Sequence, residues 1–132
     1  MLRRRRLPPE LEAPLAGLRA VVAEVEAAKA AMTATVPTTR LPGTPLPDAL
    51  LLLDEHLARA KELMPAWRHP EVEREWRACG EALDHSLRHA ATLREEAPDL
   101  GGFEGLIWAV DRVLAPLDAF EAAAERFRSL RR

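Results

Sequence analysis

The sequence predicts an all-α protein, a four-helix bundle formed by a single domain over residues 1–132. Apolar residues recur at helical spacings of three and four in four successive segments, and no segment shows the strict alternation of a half-buried strand. Turns rich in proline or glycine separate these segments. With 48% apolar residues, a chain of this length can bury a core. The simplest topology for four such helices is up-down-up-down.

The first predicted helix begins at Pro14, a residue suited to a first turn, or earlier at Pro9, and it ends at residue 36. Prolines and Gly43 then make residues 36–47 an extended connector. The connector is long enough to form either a hairpin or a crossover, so the sequence leaves open how the first two helices are joined.

The other three helices are predicted over residues 48–67, 70–98 and 103–127, and Phe103 is the first core position expected in the last of them. Asp48 is a residue type that favours a helix start, and the second segment repeats its apolar positions at alternating spacings of four and three. Pro116 lies inside the last segment. It predicts a kink near Arg112, because proline has no N–H to donate to the carbonyl four residues earlier.

Charge and cysteine content exclude several classes of protein. The net charge is −2 with 30% charged residues, so neither a disordered tail nor a uniformly basic nucleic-acid binder fits. The single cysteine, Cys79, excludes a disulfide framework and a zinc site built from cysteines. No apolar run is long enough to cross a bilayer, and residues 3–6 lead into prolines and an acid rather than an apolar stretch. We therefore predict a cytoplasmic protein with a flexible basic arm at residues 1–8.

The residue usage also points to a heat-adapted host. Of the 19 basic residues only Lys29 and Lys61 are lysines, and asparagine, glutamine and tyrosine are absent. Such a composition is typical of thermophilic proteins, although GC-rich coding favours the same bias. It indicates no activity.

Three histidines raise the question of a metal site. His85 and His89 are one helical turn apart on the third helix, and His56 lies on the second. A single histidine with a His-x-x-x-His pair in a four-helix bundle resembles the DinB-like putative metal hydrolases and transferases. That resemblance implies a divalent metal bound by His56, His85 and His89. The helical wheel turns His85 and His89 roughly 160° and 120° from the core position of Leu83, which favours a solvated face instead.

Other routes to catalysis have little support in the sequence. There is no Gly-x-Ser-x-Gly motif or phosphate-binding glycine loop, and Cys79 falls within an apolar stripe where packing is its expected role. We therefore predict no catalytic residue and no cofactor, and keep the metal-dependent enzyme as an alternative.

Two helices are expected to expose apolar side chains. Residues 50–53 are four consecutive leucines, so Leu51 and Leu52 must point outward. Trp108 lies opposite the apolar stripe of the fourth helix, in a row of small residues that includes Ala115 and Ala119. Small residues beside an exposed tryptophan allow another helix to approach closely. These five residues predict a protein interface, most simply a homodimer, and a non-catalytic interaction or regulatory module.

The charges are expected to separate along the bundle. If the topology is up-down-up-down, both termini meet the second turn at one end, while acids such as Glu95, Glu96 and Asp99 gather at the other. A basic pole of this kind could bind an acidic protein, a lipid headgroup or a nucleic acid, but no aromatic residue is interleaved with it to stack on bases. Nucleic-acid binding therefore stays a second alternative. The predicted pole comprises Arg3, Arg4, Arg5, Arg6, Arg68, Arg126, Arg128, Arg131 and Arg132.

Overall fold

The computed structural model describes residues 5–132, and these form a helical bundle without strands. The helices are α1 (Glu12–Thr33), α2 (Leu46–Leu63), α3 (Glu73–Glu96), α4 (Gly102–Leu114) and α5 (Ala119–Ser129). A 3₁₀ turn at Ala115–Asp118 joins α4 to α5, and we call residues 102–129 the fourth rod. The predicted all-α four-helix architecture is confirmed, with the last helix divided in two.

Proline explains where the fourth rod is interrupted. Pro116 occupies the start of the 3₁₀ turn, and its missing N–H removes the hydrogen bond to the Arg112 carbonyl. The predicted kink near Arg112 is instead a break at the proline itself. Gly102, at the start of α4, has a φ of 69°, a conformation that suits glycine.

Short 3₁₀ turns with a proline in their first positions extend the other helices. They cover Pro9–Leu11, Met64–Trp67, Pro70–Val72 and Ala97–Asp99. A 3₁₀ turn is tighter than an α-helical turn and has backbone hydrogen bonds of its own. Each helix therefore ends without a stretch of backbone groups that lack hydrogen bonds. α1 ends at Thr33, earlier than predicted, because the Thr35 hydroxyl donates to the Met32 carbonyl at 2.6 Å.

The first connector is a hairpin rather than a crossover. The Thr44 N–H donates to the Ala34 carbonyl at 2.8 Å, and so brings the start of α2 back to the end of α1. Gly43 is required there, because a Cβ at this position would lie 2.2 Å from the Thr35 carbonyl oxygen. α1 and α2 therefore run antiparallel in direct contact.

Hydrogen bonds between the remaining helices show the predicted up-down-up-down order. Arg94, near the end of α3, donates to the Leu50 carbonyl near the start of α2 at 3.2 Å. Ser86 in the middle of α3 donates to the Val113 carbonyl of α4, and Cys79 near the start of α3 reaches the Ala119 carbonyl of α5. Successive helices are thus antiparallel.

The core lies between α1, α2, α3 and the fourth rod, and most of its side chains are aliphatic. The α2 stripe is buried as predicted from Leu50 to Trp67, and α1 buries Val21 where the sequence favoured Val22. The Trp67 ring lies 6.4 Å from that of Phe127, which links the α2 end to α5. α1 approaches the 64–67 turn closely at Gly17, where a Cβ would lie 2.9 Å from the Ala66 backbone.

Residues 6–8, predicted to belong to a flexible basic arm, are packed on the bundle. Leu7 is buried, and Arg6 exchanges two backbone hydrogen bonds with Arg132, at 2.8 and 2.7 Å. Residues 6–8 are therefore attached to the bundle, because burial of Leu7 and pairing with the C-terminal residues hold them there. None of the helices in residues 5–132 is long and apolar enough to cross a membrane.

Candidate interaction surface

An exposed tryptophan marks the outer side of the contact between α3 and α4. Trp108 is 60% exposed, as the helical wheel predicts. The Arg112 guanidinium lies 4.7 Å from the centre of the Trp108 ring, at cation–π distance. This contact restrains the orientation of the indole. Beneath it is a shallow crevice lined by His89, Thr92 and Glu96 of α3. The indole therefore projects from the surface beside the C-terminal half of α3.

A groove opens between α3 and α5 towards the other end of the bundle. Its floor consists of Ala78 from α3 and of Ala119 and Ala122 from α5, and its volume is about 460 Å³. These methyl side chains leave space that larger residues would fill. Charged residues form the rim, among them Arg74, Glu75, Glu125 and Arg126.

The tryptophan and the groove lie on one face of the molecule. On α3, residues 78, 85, 89, 92 and 96 fall within roughly 60° of one another at 100° per residue. On the fourth rod, Trp108, Arg112 and Ala115 follow at spacings of four and three, and Ala119 and Ala122 continue the row beyond the break. We call this surface the outer face. Three of the predicted interface residues, Trp108, Ala115 and Ala119, are therefore brought together on it.

Leu51 and Leu52 lie elsewhere. Both are exposed on α2, by 60% and 42%, as four consecutive leucines require. In the described part of the chain, however, α2 packs against α1 and α3 and not against α4. Leu51 and Leu52 therefore lie on a different helix from Trp108, and their place in a single interface with it stays a prediction.

The histidines are also separated in space. His56 Nδ1 lies 2.7 Å from a carboxylate oxygen of Glu24 on α1, whereas His85 and His89 lie on the outer face of α3. Within residues 5–132, no group of three or more histidine, cysteine, aspartate or glutamate side chains is placed to hold a metal ion. The bundle does not bring the three predicted ligands together, because His56 belongs to the α1–α2 contact.

The predicted basic pole is partly neutralised by acidic neighbours. Arg68 makes a two-pronged hydrogen bond to Glu73, at 2.9 and 3.2 Å, and stacks on Trp76. Bonds from Arg68 and Arg77 lower the pKa of Glu73. Acids cluster here because α3 begins at this end, where a helix N-terminus favours negative charge. The sequence prediction counted the arginines but did not anticipate that acidic residues at the start of α3 would pair with them.

Two further arginines of the pole are paired in the same way. Arg126 approaches Glu71 and Glu75, and Arg128 pairs with Glu125. Arg3 and Arg4 lie outside the described residues, and Arg5 is exposed. Arg6, Arg131 and Arg132 remain at the junction of the two termini.

Sequence reasoning missed Ser86 and misplaced Phe103. Ser86 is fully buried and donates to the Val113 carbonyl at 2.7 Å; a lone serine in an apolar stripe was the available signal. Phe103 was expected in the core but is 53% exposed, because the buried residues of α4 begin only at Ala109.

The chain matches no protein-family model, and neither the curated proteins nor the solved structures include a significant match to it. What this molecule binds is therefore inferred from its own surfaces.

Proposed function

We propose that the protein is a non-catalytic, self-associating interaction module whose partner is a second copy of this chain. The observation that carries the proposal is the projecting Trp108 and the empty groove of Ala78, Ala119 and Ala122 on the same outer face. A projecting aromatic side chain on one copy can fill an apolar groove of suitable size on the other copy, and such contacts anchor interfaces.

Their spacing suits a twofold arrangement. The crevice under Trp108 lies level with residues 89–96 of α3 and the groove level with residues 74–78, which is roughly 20 Å at 1.5 Å per residue. A twofold axis midway, near His85 and Ala115, would place each indole in the groove of the other copy. Ala115 is small and exposed, so two backbones can approach at that point.

The charges on α3 agree with that arrangement. With the axis at His85, the two α3 helices run antiparallel and residue 74 faces residue 96 of the second copy. Arg74 then meets the partner subunit's Glu96, and the same pair forms again by symmetry. Opposite charges across the interface set its register and disfavour other partners.

The outer face is also large enough. From residue 74 to residue 96 it is about 33 Å long, and it is two helices wide. Its area is therefore comparable with the roughly 800 Å² per partner that stable complexes bury. Each indole, 60% exposed in the single chain, contributes part of the about 150–250 Å² that an aromatic side chain can bury.

The mass of the protein in solution tests this proposal. We expect light scattering to give twice the chain mass for the wild type and the single-chain mass for Trp108→Asp. Ala122→Arg, which fills the groove from the other side of the interface, should have the same effect. The matched control is Leu51→Asp, because Leu51 is as exposed as Trp108 but lies on α2.

Circular dichroism of each variant confirms that the helices still form. A wild type that stays monomeric up to millimolar concentration would overturn the proposal. So would a dimer that survives Trp108→Asp and Ala122→Arg but dissociates in Leu51→Asp.

A further inference from the structure

The arginines at the terminal end of the bundle fall into two sets. Arg68, Arg126 and Arg128 have glutamate partners. Arg6, Arg19 and Arg131 form no ion pair with a carboxylate anywhere in residues 5–132. Ion pairs within the fold give the first set a structural role, whereas no ion pair gives the second set one.

The three arginines of the second set line one cavity. Its volume is about 460 Å³, and it lies between the segment before α1, the first two turns of α1 and the C-terminal residues. The two backbone hydrogen bonds between Arg6 and Arg132 hold the segments on either side of it in place. Three separate parts of the chain therefore each contribute an arginine to the lining of one cavity.

The cavity carries an excess of two positive charges. Among the residues lining it, Glu12 supplies the one carboxylate against three guanidinium groups. Like charges gathered in a concave site repel each other unless an anion occupies it, and the site attracts anions from solution. Leu7 and Leu15 form apolar walls, which weaken screening by water and strengthen attraction to an anion.

The chemistry of the lining identifies the class of ligand. A guanidinium group binds two oxygens of a phosphate at once, so three of them suit a dianionic phosphate monoester. The leucine walls can contact an apolar group attached to that phosphate. We propose that this arginine cavity binds a phosphate monoester with an apolar substituent, either a soluble molecule or the headgroup of a phosphatidic acid lipid.

Calorimetry at constant ionic strength tests the site with phenyl phosphate, inorganic phosphate and vesicles containing phosphatidic acid. We expect phenyl phosphate to bind more tightly than inorganic phosphate, and Arg19→Gln and Arg131→Gln to weaken binding by about tenfold each. Binding to the vesicles alone, lost in the same two variants, would identify the lipid as the source of the phosphate.

Two further variants distinguish binding in the arginine cavity from general electrostatic attraction to this end of the bundle. Glu12→Gln removes the opposing charge and should strengthen binding several-fold, an effect that loss of structure could not produce. Arg128→Gln removes an equal charge from the same end of the bundle, at a residue paired with Glu125, and should change affinity less than twofold.

The proposal is overturned if neither phenyl phosphate nor the vesicles bind the wild type better than the Arg19→Gln, Arg131→Gln double variant. It is also overturned if Arg128→Gln weakens binding as much as Arg19→Gln. None of these substitutions touches the outer face, so the dimer mass reports on the proposed function separately.

Discussion

The α1–α2 hairpin and the pair formed by α3 and the fourth rod differ in the continuity of their helices and in the surface that they leave open. In the hairpin, Gly17 brings α1 against the backbone of the 64–67 turn, and Val21, Val25 and Leu57 are completely buried. Beside α3, the fourth rod is interrupted at Ala115–Asp118 and leaves a groove on its outer side. Both pairs therefore bury apolar side chains between their helices, and the second also carries an open groove.

The way the second pair is held together explains the difference. A helix break leaves carbonyl oxygens without backbone donors, and α3 supplies side-chain donors to this region. Ser86 donates to Val113 and Cys79 to Ala119. Two polar contacts from α3 thus fix a bent helix whose outer side remains open. We infer that the second pair provides the surface for recognition.

Replacing a glycine by alanine in each half should give the largest contrast. At Gly17 the new methyl group would lie 2.9 Å from the Ala66 backbone, so we expect unfolding to become easier by about 1–2 kcal/mol despite the better helix propensity of alanine. At Gly80 on α3 the nearest atom is the flexible Met64 Cε at 3.9 Å, so the same change should stabilise by about 0.5–1 kcal/mol.

Thermal and urea unfolding measure both variants. The two substitutions should move the midpoint in opposite directions. If Gly17→Ala stabilises the protein as much as Gly80→Ala does, then α1 is not closely packed on the 64–67 turn, and the comparison between the two halves fails.

Replacing serines by alanine tests the donor from α3. Ser86→Ala leaves the Val113 carbonyl in a buried place without its hydroxyl donor, so we expect a loss of about 1–2 kcal/mol in the free energy of unfolding. Ser129→Ala is the matched control, because its hydroxyl also donates to a carbonyl, that of Arg126, but is exposed. The control should change stability by less than about 0.5 kcal/mol. Equal losses in both variants would show that the buried bond does not hold the fourth rod.

The regular parts of the fold were predictable, because periodicity reports burial directly where a helix is straight. The α2 stripe repeats without exception and ends at Trp67, and the structure buries it almost completely. The exposure of Trp108 was predictable for the same reason, because this residue lies opposite the apolar stripe of the fourth helix. The fourth rod was less predictable at Phe103 and Pro116. Periodicity assumes that a helix is covered along its full length and continues through a proline, and neither holds there.

The surfaces depend on distances between helices, which a sequence does not contain. Ala78 and Ala122 are unremarkable on their own helices and form a groove only because the fold places α3 and α5 side by side. Likewise, whether an arginine such as Arg68 or Arg19 is neutralised depends on which glutamate a neighbouring segment places beside it. A count of basic residues predicted one pole, whereas the structure divides it into paired and unpaired sets.

Cys79, which lies where α3 meets α5, should react slowly in the folded protein. Burial away from water, and then the nearby charge of Glu75, raise the pKa of this thiol to about 12. A free thiol has a pKa near 8.5, so an exposed cysteine would react readily with Ellman's reagent at pH 8. We expect native protein to react at least about a hundredfold more slowly than protein in denaturant. Because the folded state holds the proton more tightly than the unfolded chain, this contribution to stability is complete below roughly pH 8.5 and is lost as the pH rises towards 12. Rapid reaction of the native protein would mean that α5 separates from α3 easily, and the open half would then be mobile rather than a fixed surface for recognition.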